Sequence, residues 1–453
     1  FGQAKVVVGA RSAIFAPCER LKLIIIDEAH ESSYIAGSHP EYNAVEVARE
    51  LARLHGGILV LGSATPSIEQ YYNAQNGMYS IVKMNTRING KELPRVEVVD
   101  MASELASGNK SLFSRKMFSA LERTIDSGHQ AILFLNRRGH STVVTCRSCG
   151  ETVKCPNCDI SMTYHISDVN SVGGANRLRC HYCGAEMPYP THCPSCGSKY
   201  IKFMGAGTEK VEQECNKLFP GVPVLRMDND TTRTKDAHYH ILSAFAEGKA
   251  QILIGTQMIA KGLDFPKVSL VGIVSADTML QLPDYTSREK TYSLITQVAG
   301  RAGRAQTGGE VILQTYTPKH YAIADAVNYK YDDFYTRELA MRKNGMYPPF
   351  SRMLRLIFSS EDQNEARSAC YTFFLRLRDA VSAVAESRST VLYLNMMTAP
   401  IGRIKGKFRF QILLKMKTDG CCEKLTDMFF DMYNTFDNAK VLLDAEINPT
   451  GLY

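Results

Sequence analysis

The sequence predicts an α/β fold of two parallel-sheet blocks, with a cysteine-rich insertion in the second and an α+β domain at the C-terminal end. Three observations predict it. Continuous apolar runs alternate with helical periodicity through the first two thirds of the chain, as parallel strands buried on both faces require. Eight of the 13 cysteines form four C-x-x-C pairs between residues 146 and 196. Beyond residue 345 the pattern changes to β-α-β-β-α-β.

The elements follow in order. Residues 1–86 carry the runs AKVVVGA (4–10), KLIIIDE (22–28) and GILVLGSA (57–64), read as buried strands, with a helix over 41–55. Residues 87–113 are polar and punctuated by Gly, Asn and Pro, which predicts a linker. The second block opens over 114–143 with a helix near 114–127 and the strand AILFLN (131–136). The cysteine module, 144–200, interrupts it as an insertion in a surface loop, where extra length costs least. Over 201–320 the block resumes with helices near 208–219, 234–247 and 286–303, and strands over 222–228, 251–256, 269–274 and 309–316. Residues 321–453 predict one helix ending at Gly345, then strand 353–358, helix 361–385, strands 391–397 and 408–416, helix 420–435 and strand 440–446. That order is ferredoxin-like, a superfold that names no function.

Composition sets bounds. A chain of 453 residues holds two to four domains, and 45% hydrophobic with 22% charged residues is ordinary for globular protein. No apolar run approaches the roughly 18–20 residues of a membrane helix. The net charge of +7 is compatible with nucleic acid. The chain starts at Phe1, and FGQAKVVVGARSA has neither a basic n-region nor an apolar h-region, so a fragment of a longer protein is expected.

The motifs carry more. Leu23 to Ile26 run into Asp27 and Glu28, the arrangement in which one carboxylate at a strand tip holds Mg²⁺ and its neighbour positions an attacking water. Alone, DEAH is also what a solvated acidic strand end looks like. It is followed in order by LGSATPS (61–67), FLNRRG (134–139), IGTQMIAKGLDFP (254–266) and QVAGRAGR (297–304), each at a predicted strand or helix terminus. Chance explains any one of these; it explains all five in order poorly.

The cysteine pairs are Cys146/Cys149, Cys155/Cys158, Cys180/Cys183 and Cys193/Cys196. Each knuckle offers two thiolates to a tetrahedral metal, so four knuckles fill two closed, structural Cys₄ zinc sites. A dithiol redox pair predicts one C-x-x-C, not four. Clustering of this kind points to metal in a reducing compartment. His165, His181 and His192 lie nearby as bystanders, and Cys18, Cys215, Cys370, Cys421 and Cys422 follow no ligand spacing. Spacing leaves the pairing open: nesting Cys155/Cys158 with Cys180/Cys183 leaves 21 residues between those knuckles, and sequential pairing also satisfies four ligands each.

The five motifs resemble those of superfamily 2 helicases. That resemblance implies two RecA-like lobes, the first incomplete here, with ATP and Mg²⁺ held in the cleft between them. It implies catalytic roles for Asp27, Glu28, Gln297, Arg301 and Arg304, the arginines stabilising the transferring phosphoryl group. Ser63, Thr65 and His30 are expected to couple nucleotide state to movement, and Gly262 and Asp264 to meet the nucleotide. Arg137, Arg138, Thr256, Gln257 and Lys261 are expected toward DNA, with Arg403 and Lys405 of the basic-aromatic GRIKGKFRF (402–410) as phosphate and stacking contacts.

With the cysteine module between FLNRRG and GAGTEK, and GARSAIFAP, FPGVPVLRMDNDTT and YPPF also present, essentially all 453 residues closely resemble the PriA family of bacterial replication-restart helicases. The resemblance implies nested zinc pairing: Cys146, Cys149, Cys193 and Cys196 on one metal, and Cys155, Cys158, Cys180 and Cys183 on the other. It also implies a cytoplasmic, nucleoid-associated 3′-to-5′ DNA helicase acting on stalled forks and D-loops. Expected partners are branched and single-stranded DNA, single-strand binding protein and other primosome proteins, with no membrane.

Two departures stand out. The loop after DEAH keeps Tyr34 and Tyr42, while the chain has no Trp at all. No G-x-x-x-x-G-K-[ST] occurs in the 453 residues, so the phosphate-cradling amides and lysine are missing from them. The chain by itself is therefore expected to bind two Zn²⁺, to bind DNA weakly and not to hydrolyse ATP appreciably. The competing expectation is a non-catalytic zinc-dependent DNA-binding or primosome-loading scaffold.

Overall fold

A computed structural model describes residues 4–36, 42–84, 93–135, 143–157, 160–165, 177–180, 184–203, 207–228, 231–232, 237–256, 259, 265–302, 309–384 and 387–449. The chain divides into two units, Phe1–Lys83 and Met84–Tyr453.

In the first unit, strands Leu23–Ile26 and Ile58–Leu61 pair in parallel, with Leu23 opposite Ile58 and Ile25 opposite Val60. Helix Ala44–His55 connects them. The Asn43 side chain caps its start and Gly56, at φ 58°, ends it in the left-handed conformation that glycine adopts without strain. Val45 and Ala48 of this helix pack on Ile26 and Ala29, covering one face of the strand pair. The other face is open: Leu23, Ile25, Ile58 and Val60 are all exposed. The expected strand over 4–10 is a correction. It joins no ladder among the described residues, and Val6 and Val8 stand in solvent. An apolar run becomes a strand only when a neighbour takes up its backbone N–H and C=O groups.

The second unit is built on six parallel strands in the order Val224–Met227, Ile252–Gly255, Gln130–Leu135, Val268–Ser275, Glu310–Thr315, Val96–Asp100. Gln130–Leu135 is buried along its whole length, as a central strand covered on both faces must be. Met117 and Leu121 of helix Arg115–Asp126 and Val211 of helix Thr208–Leu218 pack with Leu133, Ile254, Leu270 and Ile312.

The 87–113 segment, expected as a linker, is a second correction. Val96–Asp100 is the edge strand of this sheet, and helix Met101–Ala106 follows it directly, capped by the Asp100 carboxylate. Polar composition hid a strand that buries only part of its surface, and its pairing partner lies more than 200 residues away. The single helix expected up to Gly345 is a third. The structure has Tyr321–Val327 and Tyr331–Asn344, broken where Tyr329 takes φ 56° and donates its hydroxyl to Pro94 O (2.7 Å). Phe334 stacks on Tyr292 at 4.3 Å, which sets this helix pair against helix Ser287–Ala302 of the six-stranded block.

The cysteine module follows the C-terminal end of the central strand. Val144–Cys146 and Ile201–Phe203 pair antiparallel as its stem, and Thr163–His165, Arg177–Arg179 and Glu186–Pro188 form a three-stranded sheet within it. At the C-terminal end, Val391–Ile404, Lys407–Lys417, Ser351–Ser360 and Leu442–Ile447 form one antiparallel sheet in that order. Helices Gln363–Ala383 and Gly420–Asn434 cover one face, giving the expected ferredoxin-like arrangement. The opposite face supplies Met353 and Leu413 to a core shared with Val144, Cys155 and Cys180 of the module and with Tyr285 and Tyr347. No described helix is long and apolar enough to cross a membrane.

The open face in the first unit generates a prediction. Converting Ile25 and Val60 together to Thr keeps β-branched residues while removing apolar surface. The double variant should bind less of a hydrophobic dye and scatter less light than the parent, with an unchanged melting temperature. An undiminished dye signal would locate the sticky surface elsewhere.

Candidate nucleotide site and metal centre

The acidic strand tip is a wired turn. The chain leaves strand Leu23–Ile26 through Glu28, a non-glycine residue at φ 47°, a conformation that costs of order 1–3 kcal/mol and concentrates at functional sites. Glu28 N donates to Asp27 Oδ1 (2.9 Å), aiming that carboxylate back over the turn. Ala29 N donates to Gly62 O and Gly62 N to Ile26 O, both 2.9 Å, stitching this turn to the LGSATPS turn. His30 bridges the same two motifs through its Nδ1, which lies 2.7 Å from Ser63 Oγ and 3.6 Å from Glu28 Oε2. Ser63 Oγ also accepts from Thr65 N (3.0 Å), and Thr65 is buried. Four residues singled out from sequence, Glu28, His30, Ser63 and Thr65, thus form one relay, with Asp27 at its head.

Tyr34, noted in the loop after DEAH, and two residues given no role from sequence, Arg11 and Gln70, brace it. Tyr34 donates its hydroxyl to Asp27 O (2.8 Å). Burial, and then the Asp27, Glu28 and Glu31 carboxylates, push its phenol up from the ordinary value. Arg11 donates to Ser33 O (3.0 Å) and Ile35 O (2.7 Å) and lies over the Tyr42 ring at 5.5 Å. Gln70 donates to Ala29 O (3.1 Å) and completes a capping box with Ser67. The legible signals were the aromatic pair after DEAH and the S-x-x-Q after SAT-P.

In the second unit the remaining motif residues sit at element ends. Gly255 closes strand Ile252–Gly255, and a Cβ there would stand 2.6 Å from Met227 O, so only glycine fits. Thr256 follows it, half-buried. Gln257, Lys261, Gly262 and Asp264 lie outside the described residues, as do Arg137 and Arg138. Gln297 and Arg301 are on helix Ser287–Ala302, although the Arg301 side chain is outside the described set; so is Arg304. Lys405 (φ 49°) and Gly406 (φ 83°) make the tip of a hairpin, and Arg403, on the strand leading into it, lies 4.7 Å over the Phe408 ring.

The outer cysteine knuckles form a compact donor group. The sulfurs of Cys146, Cys149, Cys193 and Cys196 all lie within 4.8 Å of one another, with Cys146–Cys196 at 3.7 Å and Cys149–Cys193 at 3.6 Å. A Zn–S bond of about 2.3 Å gives tetrahedral S···S edges of about 3.8 Å, so this donor set fits zinc. Burial opposes ionisation of Cys146, but N–H groups of Cys149 and Ser148 and the neighbouring thiols outweigh it and hold this thiol below its ordinary value. The outer knuckles thus bring four sulfurs to one place, where a single tetrahedral metal fits.

All four knuckles have the same backbone lock, a bond from the first cysteine's N–H to the carbonyl five residues on. The pairs are Cys146 to Glu151 (2.9 Å), Cys155 to Ile160 (2.8 Å), Cys180 to Ala185 (2.9 Å) and Cys193 to Ser198 (2.9 Å). Cys155 and Cys180 are buried together in the module core, while Cys158 and Cys183 lie outside the described residues. Gly150 turns the first knuckle at φ 76°, and a Cβ there would meet Tyr316 O at 2.5 Å.

These elements match known families in the same order. Residues 155–188 match the PriA DNA helicase Cys-rich region domain, 198–306 the helicase conserved C-terminal domain, and 343–449 the primosomal protein N C-terminal domain. The replication restart protein PriA of Bacillus subtilis is 46% identical over 448 residues, 99% of this chain and 54% of that protein. The chain belongs to the PriA family. Its relatives from Synechocystis and Treponema pallidum are 41% and 37% identical, over 91% and 99% of this chain and 49% and 65% of their own lengths. The chain thus spans about half to two thirds of the family members it matches. Among solved structures, RecG bound to a three-way DNA junction overlaps 71% of this chain and 30% of its own at 13% identity, with a TM-score of 0.35.

Two predictions follow from the geometry. With Co²⁺ in place of zinc, Cys149→Ser should lose the absorption of one tetrahedral thiolate centre and shift the rest of the module little; an unchanged spectrum would mean that Cys149 is not a ligand. His320 caps helix Tyr321–Val327 by accepting from Ala322 N (3.2 Å). Burial, with Arg288 and Lys154 close by, lowers its pKa from 6.5 to about 4. Between those values the unfolded chain binds the extra proton, so stability should fall as pH drops through this window. His320→Gln should flatten that part of the stability–pH curve relative to the parent.

Proposed function

We propose that this chain is the motor and fork-handling portion of an ATP-dependent 3′-to-5′ DNA helicase that acts on stalled forks and D-loops and promotes primosome assembly. The observation that carries the reading is the relay joining Asp27 and Glu28 through His30 to Ser63 and Thr65. It couples a Mg-nucleotide acid pair to a turn that can shift when the γ-phosphate leaves. In this reading Asp27 holds Mg²⁺ through water and Glu28 orients the attacking water. Gln297, Arg301 and Arg304 stabilise charge on the phosphoryl group, and Gly262 and Asp264 meet the nucleotide.

Arg137, Arg138, Thr256, Gln257 and Lys261 track the DNA strand, and the Arg403–Lys405 hairpin offers phosphate and stacking contacts. The cysteines hold two zinc ions, the second on Cys155, Cys158, Cys180 and Cys183. Single-strand binding protein and other primosome proteins are its partners, in the cytoplasm at the nucleoid. The shared cores of the second unit are complete without the acid pair, which favours, as the second reading, a zinc-dependent loading scaffold with no catalysis.

One set of assays separates them. In the intact gene product, Glu28→Gln should lower DNA-stimulated ATP hydrolysis at least 100-fold with nucleotide binding retained, and unwinding should require a 3′ single-stranded tail. The 453-residue chain itself, which contains no G-x-x-x-x-G-K-[ST], should hold two zinc ions by metal analysis and hydrolyse no ATP above background. Robust DNA-stimulated turnover by that chain would sink the assignment of roles. An intact protein without turnover would leave the scaffold.

A further inference from the structure

Helix Ser287–Ala302, which carries Gln297 and Arg301, is entered through a segment gripped from three sides. Asp277, fully buried, accepts from Thr315 Oγ1 (2.9 Å), Thr317 Oγ1 (2.9 Å) and Tyr316 N (3.0 Å) at the end of strand Glu310–Thr315. Gln281, also buried, reaches the first zinc knuckle with both ends of its amide. Thr145 Oγ1 donates to its Oε1 (2.6 Å), and its Nε2 donates to Gly150 O (2.9 Å). Asp284 accepts from Thr286 Oγ1 (2.9 Å) and Lys290 Nζ (2.7 Å), closing the turn into the helix.

The third grip comes from the chain entering the C-terminal domain. Arg342, 2% exposed, pairs with Glu289 in the first turn of helix Ser287–Ala302 and with Glu338 (3.4 Å), and donates to Pro348 O (3.2 Å). Its guanidinium lies 5.1 Å over the Tyr285 ring. Tyr285 stacks on Tyr347 at 5.3 Å with an interplanar angle of 5°, and Lys415 of the C-terminal sheet lies 4.1 Å over the Tyr347 ring. Guanidinium, two phenols and an ammonium thus make a continuous stack from the helix Tyr331–Asn344 to the C-terminal sheet.

We propose that Arg342 is a positioning residue for the arginine-bearing helix, setting its axial place through Glu289 and tying that place to the C-terminal domain through the Tyr285–Tyr347–Lys415 stack. The inference rests on the reading of Arg301 as a phosphoryl-stabilising group. A helix shifts as a body, and Arg301 lies twelve residues beyond Glu289, about 18 Å along the axis at 1.5 Å per residue. A shift of about 1 Å at a reacting centre costs about 100-fold in rate, so a small loss of register at Glu289 is felt at the far end. Arginine suits the position because one planar fork serves two carboxylates and a carbonyl while its face stacks; an ammonium cannot do all of these.

The test has two readouts, with Arg342→Met, Arg342→Lys and Glu289→Gln. In the 453-residue chain, hydrogen exchange should speed at least tenfold in residues 287–302 for Arg342→Met and Glu289→Gln, with the C-terminal sheet unaltered. In the intact gene product, the same two variants should lower DNA-stimulated kcat about 10- to 100-fold with KM for ATP and the affinity for ADP within twofold. Affinity for ADP with a phosphoryl transition-state analogue should fall in step with kcat, and Arg342→Lys should recover only part of it. Helix exchange unchanged in both variants, or kcat within twofold of the parent, would overturn the proposal. So would exchange rising evenly across the whole second unit, the mark of a merely structural residue. If Arg342→Met does not fold, Glu289→Gln decides by the same readouts. A parent protein without ATP turnover would defeat the functional reading, while exchange in the helix would still decide whether Arg342 places it.

Discussion

A buried guanidinium is the constraint on which the second unit depends. Removing a charge from water costs several kcal/mol even after relaxation, and only close, well-directed partners offset it. Arg342 has them because four separate pieces of chain come together: Glu338 from its own helix, Glu289 from the helix Ser287–Ala302, Pro348 O from the turn before the C-terminal sheet, and the face of Tyr285. Tyr321 donates to Glu338 Oε2 (2.5 Å), occupying the other carboxylate oxygen. Moving Glu289 or Glu338 away breaks a buried ion pair, at a cost of roughly 3–5 kcal/mol, and moving Pro348 O or Tyr285 strips the guanidinium of a hydrogen bond or its stacking face. The six-stranded block and the C-terminal domain are therefore held in one register by electrostatics as well as by apolar packing.

The cysteine module is held by a different logic. Its strands are only three residues each, and its apolar core is completed by Tyr285, Tyr347, Met353 and Leu413 from outside it. The same backbone bond recurs at all four first cysteines, and the four outer sulfurs at tetrahedral spacing suit a metal that would add to the stability of the fold. Gln281 and Gly150 then fasten the folded module to the block, the first by hydrogen bonds and the second by lacking a Cβ where Tyr316 O comes close. In the first unit the corresponding economy is strain. Glu28 at positive φ is tolerated because Ala29, Gly62, His30 and Tyr34 over-determine the turn around it.

Much of the architecture was legible because it is written in short-range patterns. Runs such as AILFLN and QILIGT are apolar at successive positions because central parallel strands are covered on both faces, and the helices between them repeat at 3.6 residues. The knuckles were legible because two ligands to one metal must lie a few residues apart. Where expectation and structure part, a distant partner is responsible. Val96–Asp100 became an edge strand because Glu310–Thr315 offered it a ladder, and Val6–Val8 did not become a strand because none of the described residues offers one. Tyr329 broke an otherwise periodic helix in order to reach Pro94 O.

The sequence by itself determined most of the strands and helices of the second block, the acid pair at a strand tip, the cysteine knuckles and the family, since each depends on residues close together in the chain. Tertiary structure decided that the two outer knuckles come together, for Cys146 and Cys196 are 50 residues apart and spacing allows more than one pairing. It also decided that His30 answers to Ser63 and that Gln281, Tyr285 and Arg342 lock three parts of the chain together. None of those side chains carries a local pattern. A polar or aromatic residue reads the same in sequence whether it faces water or a partner, and only the fold brings the partner within hydrogen-bonding distance.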